Sequence, residues 1–161
     1  MNKDKVLQLL EENARYSYEE MGVMLGIPAD EVEKIVAQLE KEGIIRGYKV
    51  IVDRDKLKEN VVSAIIELKV TPKRDLGFDE IAEKITQYPE VEDLYLMSGG
   101  YDLALLISCE TFKDIAMFVA QRLATLDSVL STATHFVLCR YKEKGLDVHF
   151  SQTDERRNVW Y

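Results

Sequence analysis

Apolar residues recur along this chain in two rhythms, a helical one over the first third and a mixed helical and alternating one afterwards. Residues 3–14 place Val6, Leu9, Leu10 and Ala14 at helical spacing with Glu11 and Glu12 opposite, which predicts an amphipathic helix. Ser17-Tyr-Glu-Glu20 has the form of a capping box, in which Ser17 and Glu20 satisfy each other's end of a second helix closed by Gly26. Gly22 costs that helix about 1 kcal/mol against alanine, and close approach of a neighbouring helix would offset the loss. A third helix is predicted over about Asp30–Glu42, with Val32, Val36 and Leu39 inward and Gly43 at its end. Ile44–Val52 then reads as two β-prone runs around Gly47. Three short helices, a tight turn before the third and a following hairpin describe a winged helix-turn-helix over residues 1–52.

Asp53–Asn60 is charged and poor in apolar residues, and residues 53–60 are expected to be a linker. A second domain is expected over 61–142. Val62, Ala64, Ile66, Leu68 and Val70 alternate as a strand; Phe78, Ile81, Ala82, Ile85 and Tyr88 form a helical stripe. Glu92–Cys109 carries two apolar runs around Ser98-Gly-Gly-Tyr-Asp102, a β-hairpin signal in which glycine supplies the positive φ of a tight turn. Leu103–Ile107 is apolar on both faces, as a central, doubly covered strand would be. A second helical stripe (Phe112, Ile115, Ala116, Val119, Leu123) and an alternating run, Leu130–Tyr141, complete a β-α-β-β-α-β order. Phe78-Asp-Glu-Ile-Ala is echoed by Phe112-Lys-Asp-Ile-Ala, each opening its helix. The fold class is therefore α+β, a winged helix-turn-helix followed by a ferredoxin-like unit. Two helices cover one sheet face, so the apolar second face of Leu103–Ile107 calls for a partner subunit. The polar tail, 143–161, ends in Val159-Trp160-Tyr161 and is left unassigned, between Trp160 docking on a partner and a loose tail.

Composition narrows the chemistry. No apolar run approaches the ~20 residues of a membrane helix, and the polar start Met1-Asn-Lys-Asp-Lys5 has no signal-peptide character, so a cytoplasmic protein without membrane contact is expected. Cys109 and Cys139 both fall in predicted strands, as buried free thiols. Neither they nor His135 and His149 stand at metal-ligand or nucleophile–base spacing, so no metal, cofactor or catalytic residue is assigned and no enzymatic activity is expected. The formal net charge is −8, which repels a phosphate backbone unless cations gather on one face.

The ordered motifs, Leu10-Glu-Glu-Asn-Ala-Arg15, Ser17-Tyr-Glu-Glu20, Leu25-Gly26, Leu39-Glu-Lys-Glu-Gly-Ile-Ile-Arg-Gly-Tyr48, Gly99-x-Tyr-Asp-Leu103 and Thr132-Ala-Thr134, resemble the leucine-responsive regulatory protein/AsnC (Lrp/AsnC) family of transcription regulators. The resemblance spans roughly residues 3–142. It implies an N-terminal domain that binds double-stranded DNA and a C-terminal RAM-type domain that builds homo-oligomers, dimers or higher rings. That second domain binds a small effector, typically an amino acid.

Carried onto this chain, the effector site falls on Gly99, Gly100, Tyr101 and Asp102, with Thr132 and Thr134 on the last strand. Asp102 suits an α-ammonium group, and backbone N–H groups with threonine hydroxyls suit a carboxylate; the plainer role for Asp102 is to tie down its own turn. Ser128 stands where the family usually has glycine. The recognition helix departs from the family pattern, since Ile35 holds the usual arginine position. From Pro28 to Glu42, five acids (Asp30, Glu31, Glu33, Glu40, Glu42) against two lysines leave a net charge of −3. DNA contacts are assigned to Lys34 and Gln38 on the helix and Arg46 and Lys49 after it, with Arg54, Lys56 and Lys58 extending the basic strip. The alternative is a family member with weakened DNA binding, acting as an oligomeric sensor or a subunit of a mixed oligomer.

Overall fold

The computed structural model of the chain describes residues 2–57, 59–72 and 77–148. They separate into two units divided between Val50 and Ile51. The first holds α1 (Asn2–Glu12), α2 (Tyr18–Leu25) and α3 (Ala29–Lys41). Val6, Met21, Val32 and Val36 meet in its core, with Leu9, Leu10, Tyr16 and Ile35 packed around them. The capping box forms: Ser17 N–H donates to Glu20 Oε2 at 2.8 Å and Glu20 N–H to Ser17 Oγ at 3.1 Å. Gly26 ends α2 at φ 69°, the left-handed conformation glycine adopts without penalty. Gly22 meets the close approach expected of it. A Cβ there would stand 2.7 Å from the Ile27 carbonyl oxygen in the turn leading into α3, and 3.4 and 3.6 Å from N and Cα of Ala29, the first residue of that helix.

The expected wing hairpin does not form. Residues 44–53 carry no strand, and Ile44 and Ile45 both direct their N–H groups back to Leu39 O. Ile45 packs against the helical core, but Ile44 is 53% exposed and Val50 86%, so these two have no apolar surface to bury, and an isolated two-stranded ladder is marginal in water.

The second unit contains α4 (Arg54–Leu57), β1 (Val62–Val70), α5 (Asp79–Thr86), β2 (Val91–Leu96), β3 (Leu103–Cys109), α6 (Phe112–Phe118), β4 (Val129–Phe136), β5 (Lys142–Glu143) and β6 (Leu146–Asp147). The strand order β2-β3-β1-β4, antiparallel throughout, is that of the expected β-α-β-β-α-β unit, and β3 is central. Alternation in β1 aims Ala64, Ile66, Leu68 and Val70 at the helices, where they meet Leu103, Leu105 and Ile107 of β3 with Ile81, Ile85, Ile115 and Phe118. Ile81 and Ile115 are the matching isoleucines of the Phe-x-x-Ile-Ala echo. The second stripe differs from its helical reading: Ala116 is exposed and Phe118 is buried. After Phe118, a π-helical turn over Val119–Leu123 widens the winding and returns Leu123 to the core.

The last strand stops earlier than Tyr141. Its final pairing is Phe136 with Ala64 near the start of β1; one further bond joins Val137 N–H to Ser63 O, and residues 137–141 carry no strand. Cys139 therefore lies outside the strand and is exposed, whereas Cys109 is half-buried in β3. The sheet face away from the helices leaves Ile65 44% and Tyr95 52% exposed. On that face Glu67 stands opposite Ala133, beside His135, with Glu67 Oε1 3.5 Å from His135 Nε2. Among the described residues no helix is long and apolar enough to cross a membrane. The terminal residues Trp160 and His149, and Lys58 of the basic strip, lie outside the described residues.

Candidate DNA-binding and effector-binding sites

The apolar seam Val32–Val36–Leu39 turns α3 so that Asp30, Glu31, Glu33, Lys34, Ala37, Gln38 and Lys41 face outward. This is the surface a recognition helix would offer. Its cap is Pro28, whose side chain makes no capping bond, so the first turn relies on its acids and the helix dipole. Lys34 Nζ bonds Asp30 Oδ2 at 2.9 Å. Lys34 holds the Asp30 carboxyl below its ordinary pKa, and Asp30 raises that of Lys34. One turn on, Gln38 Nε2 donates to Glu42 Oε1 at 2.6 Å, and Lys3 Nζ reaches the same oxygen at 3.2 Å. Lys3 and then Gln38 hold the Glu42 carboxyl down. Both helix residues assigned to DNA contact are thus engaged by acids four residues away, Lys34 by Asp30 and Gln38 by Glu42 at the helix C-cap. Sequence reasoning did not name Asp30 and Glu42 as those partners, although the four-residue spacing in each pair signals it.

Arg46 folds back over the end of α3: a Cβ on Gly43 would lie 3.5 Å from Arg46 Cζ. The guanidinium thereby sits where the helix dipole is negative. Lys49 follows in the exposed segment without regular structure. The four assigned DNA-contact residues therefore divide into a helix pair at 34 and 38 and a post-helix pair at 46 and 49.

In the second unit, Ser98–Asp102 joins β2 to β3, closed by Met97 N–H to Asp102 O at 2.8 Å. Gly99 takes φ 156°, a setting that side-chained residues rarely adopt, whereas Gly100 is not at positive φ. No atom beyond the chain neighbours lies within 4 Å of a Cβ built on either glycine, so the tip stands in open space. Asp102 is fastened at two points: its N–H donates to Leu68 O at 2.9 Å, and its Oδ2 accepts from Val70 N–H at 2.8 Å. The carboxylate, through Oδ2, ties the turn to the end of β1 rather than closing its own turn.

Thr132 and Thr134 pair with Leu68 and Ile66 across the far edge of β1. Asp102 and Thr132 flank β1 from opposite sides, two strand spacings or roughly 10 Å apart, and Thr134 lies a further ~7 Å along. Within one chain the glycine turn and Asp102 come together; the two threonines do not join them. Among the described residues no group of three or more His, Cys, Asp or Glu is placed to hold a metal ion.

Comparison with known proteins agrees with this division. The Lrp/AsnC ligand binding domain family matches residues 63–147, and a winged helix-turn-helix DNA-binding family matches residues 3–46. The chain is 46% identical over 153 residues to the HTH-type transcriptional regulator YugG of Bacillus subtilis, covering 94% of this chain and 92% of the relative. It is 30% identical to the HTH-type transcriptional regulator LrpA of Pyrococcus abyssi, over 87% of this chain and 97% of the other. Among solved structures, the Neisseria meningitidis regulator NMB0573 in complex with L-Met superposes with a TM-score of 0.72 at 23% identity, covering 88% of this chain and 91% of that one.

Proposed function

The chain belongs to the Lrp/AsnC family of DNA-binding transcriptional regulators, which are not enzymes, and from that premise we infer a cytoplasmic homo-oligomer whose DNA binding answers to an amino acid. DNA is met by Lys34, Gln38, Arg46 and Lys49, and the effector by Gly99, Gly100, Tyr101 and Asp102. Thr132 and Thr134 contribute hydroxyls from the β4 edge. The observation that carries the reading is the Gly99-Gly100 tip, open to solvent yet anchored through Asp102 to β1. Exposed backbone N–H groups suit a carboxylate, and the Asp102 carboxylate suits an ammonium group. The L-Met complex of the neisserial relative supports an amino acid as the class.

The test is binding of the purified protein to its own upstream DNA over a salt series, with and without single amino acids. Specific binding that weakens steeply with salt and shifts with one amino acid is expected. A folded oligomer that binds no upstream DNA at low salt would overturn the DNA-binding part.

A second reading, an oligomeric sensor with weakened DNA binding, is favoured by the Lys34–Asp30 and Gln38–Glu42 pairs. The double variant Asp30→Asn, Glu42→Gln separates the two. Weakened reading by self-pairing predicts that it tightens DNA binding by roughly tenfold at low salt, with a steeper salt dependence. Unchanged affinity would leave the native helix already competent.

A further inference from the structure

We propose that the N-terminal unit holds a second, separate ligand site, for a small organic cation, in the cleft among Tyr16, Tyr18, Tyr48, Glu19 and Glu40. The cleft is open to solvent, measures about 420 Å³ and has the buried Val36 in its lining. Three stretches of chain build it. Tyr16 precedes α2, Tyr18 and Glu19 open that helix, Glu40 comes from the last turn of α3, and Tyr48 from the segment beyond.

The lining combines the three tyrosines with Leu10, Ala14, Ser17 and Val36, and its charged groups are both carboxylates. Tyrosine rings attract cations through their negative π-faces, and Glu19 and Glu40 repel anions. Arg15, Lys41 and Lys49, each adjacent in sequence to a lining residue, do not themselves line the cleft. Tyr48 Oη donates to Glu40 Oε1 at 3.0 Å, which fixes the ring against the acid and leaves the second carboxylate oxygen to accept from an ammonium group. Burial raises the Tyr48 phenol above its ordinary pKa, reinforced by Glu40 and by the nearby Tyr18, so it stays protonated and keeps donating at neutral pH. A hard metal ion wants a cage of oxygens, whereas rings with one or two carboxylates fit an alkylammonium or guanidinium head. The site differs from the Gly99–Asp102 turn in place and in ligand charge, and its existence does not depend on that turn.

The test uses the full chain and two matched pairs of probes: choline with its neutral carbon isostere 3,3-dimethylbutanol, and butylammonium with butanol. Titration calorimetry gives the affinities, and tyrosine ring resonances locate the site. At least one cation is expected to bind saturably and roughly tenfold tighter than its neutral partner, shifting the Tyr18 and Tyr48 ring signals. Glu40→Gln should weaken that cation about fivefold. Tyr48→Leu should remove most of the binding, and Tyr48→Phe, which keeps the ring, should retain it within roughly twofold. Circular dichroism checks that each variant is folded. Equal binding of cation and neutral isostere, absence of saturable binding for both cations, or folded Glu40→Gln and Tyr48→Leu variants that bind as the parent does would each overturn the proposal.

Discussion

Asp102 gives its N–H to Leu68 O and takes Val70 N–H on its carboxylate, and this double attachment separates its structural from its binding role. Asp102→Ala should cost about 1–3 kcal/mol, the penalty for leaving a half-buried N–H without its acceptor, read by denaturant unfolding. Asp102→Asn keeps an acceptor oxygen and should cost about 1 kcal/mol or less, while losing roughly tenfold in amino-acid affinity because the charge that meets the ammonium is gone. Loss of stability without loss of affinity in the asparagine variant would confine Asp102 to the structural role.

The acids of α3 set a pH window. Asp30 and Glu42 have pKa values depressed by their partners, so the stability they add is present above the ordinary carboxylate range and is lost as pH falls through their lowered values. Thermal unfolding of the N-terminal unit should be level from pH 7 to about 5 and decline below about 4. Asp102 was legible as a site candidate from its residue type and its place after two glycines. Its partner lies on another strand, 32 residues away in sequence, and no local pattern reveals such a contact.

At the scale of the element, Gly22 sets helix propensity against space. Gly22→Ala should gain about 1 kcal/mol of propensity, yet its Cβ would meet the Ile27 carbonyl oxygen at 2.7 Å, and overpacking against backbone costs about 1–3 kcal/mol. The expected outcome is a lower melting temperature; a rise would mean the α2–α3 turn gives way freely. Helices α1 to α3 were readable because periodicity and caps agree: Ser17 with Glu20, Gly26, and the Val32–Val36–Leu39 seam. The segment after α3 misled because β-propensity describes a half-buried surface, and Ile44 and Val50 have none to cover. The π-helical turn was hidden for a related reason: a widened turn moves Leu123 into the core without altering the run of apolar residues.

For the whole molecule, the β-α-β-β-α-β order was legible because each strand and helix carries its own period and the two halves echo one another. The exposed sheet face is where that reading reaches beyond one chain. Ile65 and Tyr95 remain open on it, as a surface between copies would be before assembly. Ile65→Glu should shift the oligomer toward smaller species in light scattering while circular dichroism stays unchanged. An unaltered mass would move the contact between copies to another surface.

The Glu67–His135 pair lies on that same face, 3.5 Å apart among residues that otherwise invite contact. An oily face by itself adheres in many orientations, because hydrophobic attraction has no direction. A carboxylate and an imidazole pressed against a neighbour's aliphatic side chains would lose their water without replacement, which penalises every alignment except those that return a polar partner. If a second copy stacks on this face, as the proposed oligomer requires, the pair would act as an alignment key: it would add little to adhesion but restrict the angle at which that copy can stack.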